Sequence, residues 1–256
     1  MNQLVTNGII LNRTNYGEAD RIITLLTPDQ GKVRLIAKGV RKVKSKLAGG
    51  IELFSVSNIT YIRGRKEIGT LISARLIKHY GDIVKDLNRT MLGYELIKQL
   101  DKATEDELEA EYFALLEQVF ELLDKATETL SPPDYIEFVR MWFTMRLLRL
   151  GGHMPNLETD STGQRLQADA VYSFSFDDMA FARAGSVGKF HVNEGQAATD
   201  AGSYGSTGQY GARHIKFLRL GFATDRPAML LQIDAVGGLI RDLVPLIQTM
   251  YRINVH

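Results

Sequence analysis

The chain has 256 residues, 45% of them hydrophobic and 24% charged, with a formal net charge of +1, so it can bury real cores and is not a disordered charged tail. It has no cysteine, which excludes disulfides, thiolate metal sites and cysteine nucleophiles and fits a reducing compartment. The near-neutral total hides a split: residues 1–80 carry fourteen Lys and Arg against five Asp and Glu, a formal +9, and residues 81–256 carry the remaining seventeen against twenty-five, a formal −8.

The first eighty residues read as strands. Leu4–Leu11 is apolar and β-branched, Arg21–Leu26 follows a polar turn over Asn15–Asp20, and Lys32–Ala37 alternates Val33, Leu35 and Ala37 on one face with Lys32, Arg34 and Ile36 on the other. Phe54–Ile62 and Ile68–Ile77 complete the set, with glycines at 31, 39, 49, 50, 64 and 69 as punctuation. Five short strands with glycine turns predict a small barrel of residues 1–80, either OB-like or SH3-like. After Tyr80 the period becomes helical, and residues 81–256 are expected to form a mainly α-helical domain. One helix is expected over Ile83–Ala103. A second carries Leu108, Tyr112, Leu115, Leu116, Val119, Phe120 and Leu123 on one face and acids on the other. A third starts at a Ser131 cap with Pro132 and Pro133 in its first turn, and stops at Gly151-Gly152. Only Glu137, Arg140 and Thr144 give it a polar stripe, so it is expected at the centre of the domain with Trp142 in the core. Residues 152–212 read as an irregular insert with a short hairpin near Val171–Phe176, and its Gly/Ser-rich part at 195–212 reads as a mobile loop. Helix returns at His214–Leu220 and Ala235–Tyr251.

A basic first third on a near-neutral protein points to a polyanion such as nucleic acid, against the blander reading of a solvated basic face. Two clusters narrow this: Lys38, Arg41, Lys42, Lys44 and Lys46 in one loop, and Arg63, Arg65 and Lys66 in another turn of the same barrel, with Arg34 on a strand between. Lysine and arginine there would neutralise phosphates and release counterions, which gives affinity without sequence preference. Stacking groups are the second need of a single-strand site, and the barrel offers Tyr16, Phe54, Tyr61 and Tyr80. Phe54 and Tyr61 lie on one expected strand at opposite parity, so at least one should be core.

Catalytic signatures are missing. There is no phosphate-cradling P-loop, no GxSxG and no HExxH, and the five histidines at 79, 153, 191, 214 and 256 show no ligand spacing. The expectation is a protein that is not an enzyme, with a general nucleic-acid-binding or protein-interaction module, or a metal-dependent nuclease built from distant carboxylates, as alternatives. The N-terminus lacks the order of a signal peptide and no stretch of eighteen apolar residues exists, so a soluble cytoplasmic, nucleoid-associated protein is expected.

Several pieces of the first eighty residues together carry a family resemblance: Tyr16-Gly17-Glu18-Ala19-Asp20-Arg21, Leu25-Leu26-Thr27-Pro28, Gly31-Lys32, Ala37-Lys38-Gly39 and Lys44-Ser45-Lys46-Leu47-Ala48-Gly49-Gly50-Ile51-Glu52. They resemble the N-terminal domain of the bacterial recombination mediator family RecO. The likeness extends more loosely to about residue 157, through Gly151-Gly152-His153-Met154-Pro155-Asn156-Leu157, and only in outline beyond. The resemblance implies an OB-fold followed by an α-helical domain, binding of single- and double-stranded DNA, annealing of complementary strands, and help in loading RecA onto DNA covered by single-strand-binding protein (SSB). It implies RecR, the acidic SSB tail and RecF as partners, and no catalysis. The barrel's basic residues would contact DNA, and Glu18–Arg21 would fix a turn. A tail with acidic and aromatic residues could dock in an apolar groove edged by Arg140, Arg146 or Arg149, unless these arginines pair with acidic neighbours.

One departure stands out. Many relatives carry a four-cysteine zinc knuckle after the central helix; here that stretch is Glu158-Thr159-Asp160-Ser161-Thr162-Gly163-Gln164, and the later pair falls near Phe181–Ala184. A lone Asp160 cannot supply four ligands. No zinc or other cofactor is expected, and Tyr172, Phe174 and Phe176 are expected to pack where zinc would hold the loop.

Overall fold

A computed structural model describes residues 3–64, 68–104, 110–125, 128–183 and 206–255. Its contacts divide the chain into two compact units, Met1–Glu128 and Thr129–His256. The change from strand to helix near Tyr80 is therefore a change of secondary structure, and the boundary between compact units comes later.

In the first unit, β1 (Gln3–Tyr16), β2 (Asp20–Thr27), β3 (Gly31–Ala37), β4 (Ser55–Ile62) and β5 (Ile68–His79) form a closed barrel in the order β1-β2-β3-β5-β4. Strand β1 is long enough to pair with β2 through Tyr16↔Asp20 at one end and with β4 through Gln3↔Ile62 at the other, and so closes the sheet. The only parallel pairing among the described strands of this barrel is the short β3–β5 contact, Arg34↔Ile68 to Ile36↔Thr70. This is the OB-like arrangement expected from the strand count. Alternation sends Ile10, Ile23, Leu25, Leu35, Ile59, Tyr61 and Leu71 inward to one core.

Helices α1 (Leu87–Ala103) and α2 (Ala110–Asp124) belong to this unit. The Asp86 side chain caps α1 by accepting from the Arg89 N–H at 2.9 Å. A short 3-10 turn, Ile83–Lys85, replaces the first turn expected for that helix, and Leu108 lies outside the described residues. Phe54 and Tyr61 are both buried, in two different cores. Tyr61 fills the barrel. Phe54 sits just before β4 with φ 54°, and its ring meets Tyr94 of α1 and Phe120 of α2 at centroid distances of 5.3 and 5.5 Å. Tyr80 is buried too, so of the four stacking candidates Tyr16 alone is exposed.

The second unit is built on α3 (Pro132–Leu150), α4 (Ala212–Ala223) and α5 (Val236–Asn254). Ser131 caps α3, its hydroxyl accepting from the Asp134 N–H at 3.3 Å. Phe138, Val139, Trp142, Phe143, Met145 and Leu148 are buried on several sides of α3, which makes it the central helix. Thr144 does not continue a polar stripe: it is buried, and its hydroxyl donates to the Arg140 carbonyl at 2.8 Å within the helix. A second sheet runs β6-β8-β7-β9, from β6 (Asn156–Asp160), β7 (Tyr172–Ser175), β8 (Ala180–Arg183) and β9 (Ser206–Tyr210). The hairpin expected near Val171–Phe176 is β7 with β8. Part of the expected loop at 195–212 is strand β9 and the start of α4, because backbone pairing with β7 (Tyr172↔Tyr210) overrides a Gly/Ser composition; residues 195–205 lie outside the described residues. No helix among the described residues is long and apolar enough to cross a membrane.

Candidate nucleic-acid interface

The loop after β3 owes its position to a carboxylate in the preceding turn. Asp20 Oδ1 accepts from the Gly39 N–H at 2.7 Å, and the Arg41 N–H donates to the Ala19 carbonyl at 2.9 Å. Gly39 holds φ +65°, a left-handed conformation that any Cβ would strain. From there the chain turns again, with Lys42 N–H to the Gly39 carbonyl and Ser45 N–H to the Lys42 carbonyl at 3.1 and 2.9 Å. The loop then returns to the barrel at Gly50, where an added Cβ would clash with the Ala74 carbonyl of β5. The backbone is thus tied down at both ends while Lys38, Arg41, Lys42, Lys44 and Lys46 stand exposed between.

Arg34 projects from the outer face of β3 and Arg63 follows β4; both are exposed. They line one cavity of about 170 Å³ with Gln30, Tyr61 and Gly69. The two clusters do not merge. Ala37 pairs with Arg21 beside the basic loop, and Gly31 pairs with Thr27 beside the cavity, so β3 lies between them. Arg34 of the cavity lies three residues before Ala37, roughly 10 Å of strand from the start of the basic loop. Arg65 and Lys66 lie outside the described residues.

Some cations of the unit are neutralised by acids within it. Arg13 pairs with Glu52 and Lys78 with Glu121, at 3.0 and 2.6 Å. Lys32 Nζ is 3.0 Å from Asp101 Oδ1 and donates to the carbonyls of Asp101 and Thr104 at 2.5 and 2.6 Å, so it holds the C-terminus of α1 against the barrel. Among the described residues, Arg34, Lys38, Arg41, Lys42, Lys44, Lys46 and Arg63 have no carboxylate partner; Arg41 donates to the Gly17 carbonyl and Arg63 to Gln30 Oε1. A set of fixed, unneutralised cations on one small barrel is what a polyanion site requires.

The family model for "Recombination protein O N terminal" matches residues 1–80, and that for "Recombination protein O C terminal" matches residues 84–206. The chain belongs to the RecO family. It is 34% identical over 169 residues to "DNA repair protein RecO" of Dehalococcoides mccartyi strain 195, covering 65% of this chain and 64% of that protein. It is 30% identical over 151 residues to the protein of the same name from Listeria monocytogenes serotype 4b, covering 59% and 56%. The matched region therefore spans less than two thirds of either relative.

Three of the RecO-like sequence pieces gain a physical reason from the barrel. Asp20 of the Tyr16–Arg21 stretch fixes Gly39 of Ala37-Lys38-Gly39, and Gly50 admits the close approach to β5 that ends the basic loop.

In the second unit, the knuckle stretch of this RecO member is organised by one carboxylate. Asp160 Oδ1 accepts from the Thr162 N–H, the Thr162 hydroxyl and the Gln164 N–H at 2.9, 2.6 and 3.0 Å. The Thr162 hydroxyl first, then these backbone donors and Arg183, hold its carboxyl below the usual carboxylate range, against a smaller opposing effect of burial. The donor set does not fit a four-ligand zinc site: cysteine is missing, and the described residues hold no group of three His, Asp or Glu placed for a metal. Behind the loop Phe174, Phe176, Phe181, Tyr172 and Tyr210 are buried in edge-to-face contact, with centroids 5.2 to 6.3 Å apart.

Because the Asp160 carboxyl titrates lower in the fold than in the open chain, its ionised form stabilises the loop above a pH of about 4 and that help fades as pH falls through the folded value. Hydrogen exchange at the Thr162 and Gln164 amides is expected to accelerate in acid before the rest of the unit opens. Asp160→Asn, which keeps an acceptor and loses the charge, is expected to flatten that pH dependence. An unchanged profile in the variant would remove Asp160 from this role.

The three arginines proposed for a partner are engaged within the chain. Arg140 pairs with Glu137, and Arg146 pairs with Asp225 and donates to the Phe222 carbonyl at 3.1 Å. Arg149 donates to the carbonyls of Phe222 and Ala223 at 2.7 and 3.1 Å, at the C-terminus of α4. Arg149 nevertheless edges a groove of about 680 Å³ with Met154, Pro155, Leu157, Arg219 and Phe222. Arg219, which sequence reasoning missed, reaches the Leu157 carbonyl at 2.7 Å; its spacing on α4 resembles that of any helical cation.

Proposed function

We propose that this RecO-family chain is a non-catalytic DNA repair and recombination mediator acting in the cytoplasm, at the nucleoid. It holds single- and double-stranded DNA on the basic loop of the barrel, anneals complementary strands, and helps to load RecA onto SSB-coated DNA together with RecR, with RecF as a further partner. The observation that carries this reading is the crowding of five exposed cations, Lys38, Arg41, Lys42, Lys44 and Lys46, into one loop of the barrel, with no carboxylate partner among the described residues. Annealing two anionic strands is slowed by their repulsion, and a fixed array of lysines lowers that barrier without breaking a bond. Residues 81–256 carry a formal −8 and would limit nonspecific binding. The test is annealing of complementary strands coated with SSB, with and without RecR. Acceleration supports the reading; no DNA binding at low salt overturns it, and magnesium-dependent cleavage would favour the nuclease.

The groove beside Arg149 and Arg219 favours a second role for the same protein, as receptor of the SSB tail. Its apolar floor suits an aromatic side chain and its two arginines suit carboxylates. Arg219→Glu is expected to weaken binding of an SSB-tail peptide to the full chain at least tenfold by fluorescence anisotropy, while DNA affinity stays the same. Equal peptide affinity would move the tail elsewhere. We further propose that the knuckle works without metal, since Asp160 and the aromatic cluster supply its order.

A further inference from the structure

The cavity at the mouth of the barrel has a chemistry different from that of the basic loop. It opens where β5 begins: β3 pairs with β5 only from Arg34 onward, so the start of β3 and the end of β4 are left apart. Gln30, Lys32, Val33, Arg34, Tyr61 and Arg63 are among the residues around it. Tyr61 is one of its lining residues. Tyr61 is only 1% exposed, and its hydroxyl has no hydrogen-bond partner among the described residues. Burial first of all pushes the Tyr61 phenol above its usual range, with Arg63 opposing and Asp29 adding to the shift, so the group is a proton donor at neutral pH. A buried donor without an acceptor is destabilising, and a ligand acceptor would relieve that.

The charged surroundings favour an anion as that acceptor. Arg34 makes no ion pair among the described residues, and the described partner of Arg63 is Gln30 Oε1 at a long 3.5 Å. Lys32 is committed to Asp101, and Asp29, the one acid among the described residues that acts on the hydroxyl, accepts from the Thr6 hydroxyl. Size limits the anion further. A cavity of about 170 Å³ is well below the roughly 300 Å³ at which sites for whole small ligands begin. An internal phosphodiester would need two chain exits from it, and a phosphomonoester needs one and carries up to about two charges rather than one.

We infer that the mouth of the barrel is a phosphomonoester pocket, in which Arg34 and Arg63 clamp the terminal phosphate of a DNA strand and the Tyr61 hydroxyl donates to one of its oxygens. The inference rests on the DNA-binding reading above and deepens it: the basic loop grips the strand, and the pocket marks its end.

The experiment compares three single-stranded oligonucleotides of one sequence, bearing a 5′-phosphate, a 3′-phosphate or two hydroxyl ends, each labelled internally and titrated with the full chain at constant ionic strength. One phosphorylated end is expected to bind at least fivefold more tightly than the hydroxyl-ended strand. Tyr61→Phe is expected to abolish that preference, to leave the affinity for the hydroxyl-ended strand unchanged, and not to lower Tm, because it removes an unpartnered hydroxyl and keeps the ring. Arg34→Gln is expected to abolish the preference and to weaken all three. Equal affinities for the three strands, or a full preference retained in Tyr61→Phe, would overturn the pocket and leave the DNA-binding reading intact. Failure of all three to bind would overturn both. Inorganic phosphate titrated alone by calorimetry separates the sources: heat from phosphate without any strand-end preference would assign the pocket to free phosphate and overturn the strand-end assignment.

Discussion

Replacing Lys42, Lys44 and Lys46 together by alanine is expected to weaken single-stranded DNA binding on the order of 100-fold at 0.1 M salt. Each phosphate contact contributes about 0.7 to the slope of log affinity against log salt, so losing three should flatten that slope by about 2. The loss should be equal for every sequence, because lysines at a loop tip meet phosphates and read no base edges. The fold should survive, since the loop is held by backbone contacts that do not use these side chains: Asp20 to Gly39, Ala19 to Arg41, and Gly50 against β5. Salt titrations of the triple variant against several sequences measure both quantities. An unchanged slope would place the DNA surface elsewhere on the molecule.

The second large effect concerns the unit that carries the groove. Trp142→Ala should destabilise it by about 3–5 kcal/mol, the usual cost of emptying a large aromatic site in a core. For a unit of this size that is a fall in Tm of roughly 10 °C or more. Trp142 is fully buried in the middle of α3, between Met141 and Phe143, which are buried as well, so little can collapse into the space. Trp142→Phe is the informative comparison. The indole Nε1 is buried without a hydrogen-bond partner among the described residues, so phenylalanine loses some packing but also removes an orphaned donor. A much smaller drop is expected for it than for alanine, by calorimetry of the full chain. Equal losses would mean that the indole N–H is satisfied after all.

How much of this was legible beforehand differs from residue to residue. The five strands, the Ser131 cap, the Gly151 stop and the central place of Trp142 follow from local signals: alternation, capping chemistry and an apolar surround. The basic loop was legible as a charge run because nothing else competes for that composition. Phe54 was not. Strand parity placed it opposite Tyr61 and required only that at least one of them be core; both are, because its left-handed backbone lies outside the strand and turns the ring toward Tyr94 and Phe120. Thr144 misled for a related reason, since a hydroxyl that bonds back to its own helix can be buried at little cost. Strand β9 was hidden by its glycine and serine content, because a strand added to an existing edge draws on backbone pairing more than on side chains.

The amino-acid order alone determined the class of elements, the sign of charge on each part of the chain, the absence of cysteine chemistry and the likeness to the RecO family. These are properties of composition and of spacing over a few residues, which need no knowledge of distant neighbours. Tertiary structure decided which cations stay unpaired. Lys32, Lys78 and Lys42 are equivalent in sequence, yet Lys32 meets the end of α1 and Lys78 meets Glu121, while Lys42 meets nothing acidic among the described residues. It also brought Arg34 of β3 to one cavity with Tyr61 and Arg63 at the end of β4, from two separate stretches. Pairing and enclosure depend on contacts between residues far apart in the chain, and only the closure of the barrel brings those residues within reach.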